Sequence, residues 1–109
     1  MNILVINGSP NGERSATMRI TNAFLEGMGE TAEVIDSFKA DVKPCRACFS
    51  CWFGPPGVCA QKDDMAEILE KFEAADLVIW STPVYCYSVP SGLKAIMDRT
   101  LSTCKPALY

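Results

Sequence analysis

The stretch NILVINGSPNGERSAT, Asn2 to Thr17, decides the fold. Asn2–Ile6 is a continuous apolar run of the kind that forms a strand buried on both faces of a parallel sheet. It stops at Asn7-Gly8 and gives way to a loop of small and polar residues. Beyond the loop, Ile20, Ala23, Phe24, Gly27 and Met28 recur at i, i+3, i+4, i+7 and i+8. That spacing predicts an amphipathic helix, with Gly27 and Gly29 marking its end.

The alternation repeats downstream. Ala32–Ile35 (AEVI) predicts a second, short strand, and a loop from Phe38 to about Lys62 follows it. Asp64 with Glu67 is a variant of the capping box that starts a second helix, whose apolar stripe is Met65, Ile68, Leu69 and Phe72. Leu77–Trp80 (LVIW) predicts a third buried strand, and Pro90-Ser91 opens a third helix with Leu93, Ile96, Met97 and Leu101 on one face. Alternating strands and helices imply α/β architecture: one doubly wound parallel sheet with strand order 2-1-3 and helices on both faces. In such a sheet the loops after strands one and three flank the switch point where ligands bind. The loop after strand two leaves by the same edge, so all three loops are expected to converge there.

Composition narrows the function. The chain has 109 residues, enough for one domain, with 49% hydrophobic and 21% charged residues and no internal repeat. Ten basic against thirteen acidic residues give a net charge of -3 and a pI near 4.8, which removes the positive footprint of a nucleic-acid binder. The amino terminus has neither a basic region nor a small-residue cleavage site, and reads as a strand, not a signal peptide. No segment approaches the roughly 20 apolar residues that span a bilayer, so a membrane partner is not expected and a cytoplasmic location is. Six cysteines in a reducing compartment point to metal or redox chemistry. Histidine is absent, so the commonest general base is missing and a cofactor is expected to carry the chemistry; no catalytic side chain is nominated.

GSPNGERSAT, Gly8–Thr17, offers hydroxyls and backbone amides at a helix N-terminus, which suits a phosphate. It matches neither the Walker loop nor GxGxxG. The alternative is an ordinary turn in which Ser15 or Thr17 caps the helix. STPVYCYSVPS, Ser81–Ser91, presents Tyr85 and Tyr87 either as walls for a flat ligand or as helix-packing residues with wet hydroxyls.

Three motifs in order, NGSPNGERSAT, CxxCxxCW with a following GxC and DDM, and TPVYCYSVPSGLKAIMDR, resemble the flavodoxin-like NADPH-dependent FMN reductase family, which includes the iron-sulfur flavoproteins. The resemblance covers nearly the whole chain. It implies that Ser9, Asn11, Ser15 and Thr17 hold an FMN phosphate with Arg14 as a charge partner, and that Pro83, Val84, Tyr85, Cys86 and Tyr87 lie against the isoalloxazine. Lys94, Asp98 and Arg99 match the family's helix signature and are assigned structural roles. NAD(P)H is the implied donor and a quinone or free flavin the implied small-molecule acceptor. The family's five-stranded sheet runs past the third helix, so the domain 1–109 is expected to be incomplete at its C-terminus. A homo-oligomer, dimer or tetramer, is the implied assembly.

Cys45, Cys48, Cys51 and Cys59 follow C-x2-C-x2-C-x7-C, close to the opening of bacterial cluster ligands. Four readings stand: ligands of a 4Fe-4S cluster, reduced thiols in a packed loop, a labile disulfide, or a zinc site. Cys86 and Cys104 fall outside this spacing and read as small core or pocket residues. Trp52 and Phe53 read as cover for the pocket or a subunit contact. The expected function is an FMN-dependent oxidoreductase. Its alternatives are an iron-sulfur flavoprotein acting as a one-electron carrier and, from another class, a non-enzymatic cysteine-based metal or redox sensor.

Overall fold

The computed structural model describes residues 1–55 and 57–103. In chain order the elements are β1 (Ile3–Asn7), α1 (Ala16–Met28), β2 (Glu33–Asp36), α2 (Ser50–Phe53), α3 (Met65–Ala74), β3 (Leu77–Ser81) and α4 (Ser91–Arg99), with 3-10 turns at Gly12–Arg14 and Thr100–Thr103. The three strands form one parallel sheet in the order β2-β1-β3. Asn7 lies opposite both Asp36 and Ser81 in register, so all three strands deliver their following loops at one edge.

The period-2 alternation of β1 divides the core into two layers. Leu4 and Ile6 face Met65, Ile68 and Leu69 of α3 and Leu93 and Ile96 of α4. Ile3 and Val5 face Met18 and Leu25 of α1 on the other side. Every residue of β1 is buried, as a central parallel strand requires.

Three expectations are corrected here. The buried face of α1 is Met18, Thr21 and Leu25, whereas Ile20, Phe24 and Met28 are exposed. Two apolar stripes compete on this helix, and packing of Met18 and Leu25 against Ile3 and Val5 decides which one meets the sheet. The helix ends at Gly29, whose φ of 70° only glycine adopts without strain. The capping carboxylate of α3 is Asp63, whose Oδ1 accepts from Met65 N at 3.1 Å; the Asp64 side chain instead accepts from Asp41 N at 2.8 Å. Finally, β3 is half-buried from Leu77 to Trp80, because among the described residues nothing pairs with its outer edge.

Candidate functional site

Asn7, fully buried at the end of β1, organises the first loop. Its Oδ1 accepts from Ser9 N at 3.1 Å and its Nδ2 donates to Asp36 Oδ1 at 2.9 Å, tying the loop to the end of β2. Ser9 Oγ accepts from Asn11 N at 3.2 Å, and Ser15 Oγ accepts from Met18 N at 3.1 Å. Ser15 is therefore the N-cap, with Thr17 Oγ1 3.3 Å from its hydroxyl. Each hydroxyl that accepts a backbone N–H keeps its own O–H to donate. The first helical bond runs from Arg19 N to Ser15 O, so the amides of Ala16 and Thr17 head α1 without a helical acceptor. Donors and the positive end of the dipole thus share one place. A cavity of about 320 Å³ opens beside it, lined by the loop from Ser9 to Arg14 with Asp36, Phe38 and Lys39. Ser9, Asn11 and Arg14 line this cavity; Ser15 and Thr17 stand at the helix end outside its lining.

The third loop begins against the first. Gly8 N donates to Ser81 O at 2.7 Å, and Thr21 Oγ1 donates to Ser81 Oγ at 2.9 Å. Gly8 lies so close to α4 that an added Cβ would stand 2.7 Å from Leu93 Cδ2 and 3.2 Å from Thr82 Oγ1. Further out, Tyr85 and Ser88 exchange backbone hydrogen bonds of 2.8 and 2.9 Å across Cys86 and Tyr87, which both have positive φ. The pattern is a tight turn of the primed type, held by two residues other than the glycine or asparagine it favours. Val84, Tyr85, Cys86 and Tyr87 are exposed and Pro83 is half-buried. Cys86 is therefore a surface thiol at a turn tip and not a core residue; Cys104 lies outside the described residues. None of Pro83–Tyr87 lines the first-loop cavity, so the two loops meet at their roots on the sheet edge and not in one enclosed pocket.

The cysteine loop is closed at its neck. Asp64 N donates to Asp41 O at 2.9 Å, Lys43 N to Asp63 Oδ2 at 3.0 Å, and Gln61 Nε2 to Pro44 O at 3.0 Å. Between these ties the chain makes the single turn α2, which the sequence pattern did not signal, entered through Phe49 at φ 56°. Trp52 Nε1 donates to Leu101 O at 3.1 Å, and its ring centroid is 4.9 Å from that of Phe49; Phe53 is exposed. The loop thus docks on the C-terminal end of α4. Cys45, Cys48, Cys51 and Cys59 all line one cavity of about 20 Å³ with Arg99, Leu101 and Ser102. This cavity shares no lining residue with that of the first loop. All three loops start at one edge, and the loop after β2 contributes Phe38 and Lys39 to the first-loop cavity, but its cysteine-bearing part is carried along α4, which spans about 12 Å from Ser91 to Arg99 at 1.5 Å per residue.

The thiols differ in environment. Cys48 is exposed, and a hydrogen bond from the Ser50 hydroxyl pulls its pKa below the ordinary thiol value. Burial pushes the Cys51 thiol up, and the neighbouring cysteines add to the shift. All four are free thiols, and among the described residues no three Cys, Asp or Glu side chains converge as a metal-ion ligand set.

Arg99, assigned a structural role from the sequence, ties the neck of the cysteine loop to α4. Its guanidinium, 1% exposed, forks onto Asp63, Nη1 to Oδ2 at 2.8 Å and Nη2 to Oδ1 at 3.0 Å, and Nη1 also donates to Lys43 O at 2.8 Å. The bond from Arg99 holds the Asp63 carboxyl far below the usual carboxylate range, against the opposing effect of burial. Asp63 in turn raises Arg99, with Cys59 adding to the effect. A signal was present: Leu93, Ile96 and Arg99 follow at i, i+3 and i+6, so a cation stands on the apolar face of α4. Lys94 and Asp98 form an exposed i,i+4 ion pair on the other face.

The helix end with its free amides and hydroxyls fits the phosphate of FMN. The four thiols match an iron-sulfur group in donor type and number, but no three of them converge as a ligand set and the cavity they line is about 20 Å³, so their arrangement does not fit such a group. A parallel 2-1-3 sheet with helices on both faces defines a flavodoxin-like α/β protein, and two solved structures share that fold. RosB with a bound flavin intermediate aligns with a TM-score of 0.68 and 20% identity over 93% of this chain and 42% of its own. The azoreductase AzrA aligns with a TM-score of 0.66 and 17% identity over 90% of this chain and 54% of its own. The sequence matches the NADPH-dependent FMN reductase family over residues 1–107, and the chain belongs to that family. It is 34% identical over 101 residues to an iron-sulfur flavoprotein of Archaeoglobus fulgidus (92% of this chain, 49% of the relative). Identity to the iron-sulfur flavoprotein of Methanosarcina thermophila is 38% over 104 residues (93% and 53%). An FMN-dependent NAD(P)H:quinone oxidoreductase of Pseudomonas aeruginosa is 31% identical over 109 residues (89% and 51%). The chain spans about half the length of these curated relatives. Among the described residues no helix is long and apolar enough to cross a membrane.

Proposed function

We propose that the protein is an FMN-dependent oxidoreductase that takes electrons from NAD(P)H and passes them to a small acceptor such as a quinone or free flavin. The observation that carries this reading is the closure of Gly8 on Ser81 and Leu93, which sets the N-terminus of α1 beside the root of the tyrosine-bearing loop. FMN supplies the electron-accepting chemistry, so the absence of histidine is no obstacle. Ser9, Asn11, Ser15, Thr17 and Arg14 bind and orient the phosphate, and Pro83–Tyr87 give the ring a surface to lie on. Backbone strain supports the third-loop assignment: among the described residues, the non-glycine positive-φ positions are Cys86 and Tyr87 in that loop and Ala47 and Phe49 in the cysteine loop. Such positions cost on the order of 1–3 kcal/mol each and cluster at functional sites.

A 4Fe-4S group on Cys45, Cys48, Cys51 and Cys59 is the second redox centre in this reading. Support comes from the relatives named iron-sulfur flavoproteins and from the spacing of the four thiols along the loop; as they stand, no three of the thiols converge as a ligand set among the described residues. The sensor reading draws no support, because the family match extends over both FMN loops. A homo-oligomer in which a second copy covers the exposed tyrosines belongs to the same proposal. The test is anaerobic purification with FMN and iron quantified per chain, and titration of FMN against riboflavin. About one FMN per chain, bound at least tenfold tighter than riboflavin, is expected. Equal affinity for the two would remove the phosphate site.

A further inference from the structure

The cavity beside the first loop has a wall that an FMN phosphate does not use. A phosphate is favoured at the head of α1, by the amides of Ala16 and Thr17 and the Ser15 hydroxyl, and Ser15 and Thr17 stand outside the cavity lining. Asp36, Phe38 and Lys39 form the wall that comes from the end of β2. A dianion filling this space would meet the carboxylates of Asp36 and Glu13, and like charges at close range repel. At about 320 Å³ the cavity has room for a further small-molecule group. The wall is also fixed in place. Ser37 N donates to Asn7 O at 2.9 Å, and Lys39 N and Ala40 N both donate to Asp36 O at 3.1 Å, so the turn after β2 is pinned to β1. Asp36 Oδ1 accepts from Asn7 Nδ2, and Oδ2 makes a loose contact of 3.4 Å with Lys39 Nζ at the exposed rim. A carboxylate has acceptor capacity beyond these two contacts. The half-exposed Phe38 ring rests on Gly92 at the start of α4, where an added Cβ would stand 3.6 Å from three ring atoms.

We propose that this cavity takes the adenosine end of the NAD(P)H donor, with the ribose hydroxyls on Asp36, the adenine on Phe38 and a phosphate at Lys39. The proposal rests on the nicotinamide-dependent reading above. A hydroxyl acceptor, an open aromatic ring and a rim cation are the three kinds of contact that a ribonucleoside phosphate needs, one each for sugar, base and phosphate. In dinucleotide-binding α/β folds, a carboxylate in the corresponding place after the second strand receives the ribose hydroxyl. The same carboxylate repels a 2′-phosphate, so the donor it selects is NADH over NADPH. Asp36 is thus a specificity-determining residue, and Phe38 supplies binding without taking part in the electron transfer.

The test is calorimetric titration with ADP-ribose, which lacks the nicotinamide and so reports this subsite alone, and with 2′-phospho-ADP-ribose as the second probe. Wild-type protein is expected to bind ADP-ribose more tightly than the 2′-phosphorylated probe, with or without FMN present. Phe38→Ala should weaken ADP-ribose about tenfold, the scale of one lost base–aromatic stack, and leave FMN affinity at the wild-type value. Asp36→Asn retains an acceptor for Asn7 but loses the charge; it should weaken ADP-ribose about tenfold and erase the preference between the probes. If Asp36→Asn fails to fold, Phe38→Ala and the wild-type preference decide. Protein that binds FMN but not ADP-ribose overturns the proposal. So do ADP-ribose affinities equal in wild type and both variants, and so does displacement of ADP-ribose by FMN. Protein that binds no FMN sinks the flavin reading at a separate assay, and the ADP-ribose titration of that same sample still decides the subsite.

Discussion

Gly8 and Leu93 are in such close contact that a methyl group on Gly8 would overlap Leu93 Cδ2, and this approach locks the end of β1 against the start of α4. Gly8→Ala is expected to destabilise the fold by about 1–3 kcal/mol, the usual range for overpacking, and to weaken FMN binding together with stability. Leu93→Ala is destabilising by itself, but the double variant should lose less than the sum of the two, since Leu93 is the atom in the way. Thermal unfolding of the four proteins gives the coupling. Strict additivity would show that the contact is not the cause.

Ser15 has two jobs that one substitution separates. Ser15→Asp preserves the cap, because aspartate ranks with serine at that position, yet it puts a carboxylate where the phosphate is expected. Stability should stay close to wild type while FMN affinity falls at least tenfold. Ser15→Ala should instead cost about 0.5–2 kcal/mol of stability. Undiminished FMN binding by Ser15→Asp would count against the assignment of this helix end.

The Asp63–Arg99 pair makes stability acid-sensitive. The folded-state pKa of Asp63 is depressed, first by the Arg99 hydrogen bond, so its contribution is complete above the unfolded value of about 3.9 and is lost as pH falls through the acid range below it. Asp63→Asn should flatten that acid limb and lower stability near neutrality by about 3–5 kcal/mol, since it leaves Arg99 buried without its counter-charge. Replacing both, Asp63→Leu with Arg99→Met, should cost less than removing either partner. Urea unfolding at pH 3, 5 and 7 tests the sign, and an unchanged acid limb in Asp63→Asn would refute it.

Ile20 and Phe24 of α1 form an exposed apolar groove of about 380 Å³ with Leu77, Val78 and Ile79 of β3. Grooves of this kind beside an unpaired strand edge attract dyes and other chains. Phe24→Gln is expected to change stability by no more than about 0.5 kcal/mol, as for an ordinary surface position, while lowering both hydrophobic-dye fluorescence and self-association of the isolated chain. Light scattering measures the second, and no change in either would mean that the groove is covered in solution.

Much of the fold was legible because strand and helix periods are local properties. The all-apolar run of β1, the Gly29 stop and the stripe Met65, Ile68 and Leu69 were each read within a turn or two of where they occur. The face of α1 was misread because Ile20, Phe24 and Met28 are as apolar as Met18 and Leu25. Only the sheet they approach distinguishes the two stripes. Asp64 holds the N-cap position of α3, but the capping carboxylate comes from Asp63 for a similar reason: adjacent aspartates look alike until one is claimed by Arg99 and the other by the Asp41 amide. Asn7, which organises the first loop, passed for a mere turn residue in Asn7-Gly8.

From the linear order of residues alone followed the α/β alternation, the 2-1-3 sheet, a helix cap at Ser15 or Thr17 and the clustering of four thiols. The alternation, the cap and the thiol cluster depend on residues a few positions apart, and the sheet order follows from the crossover rule for parallel strands. What folding alone decided is which of these pieces meet: Gly8 with Leu93, Asn7 with Asp36, and Arg99 with an aspartate 36 positions away. It also carried the cysteine loop to the far end of α4 instead of to the first-loop cavity. Contacts across such separations depend on how whole elements pack, and no local pattern encodes them.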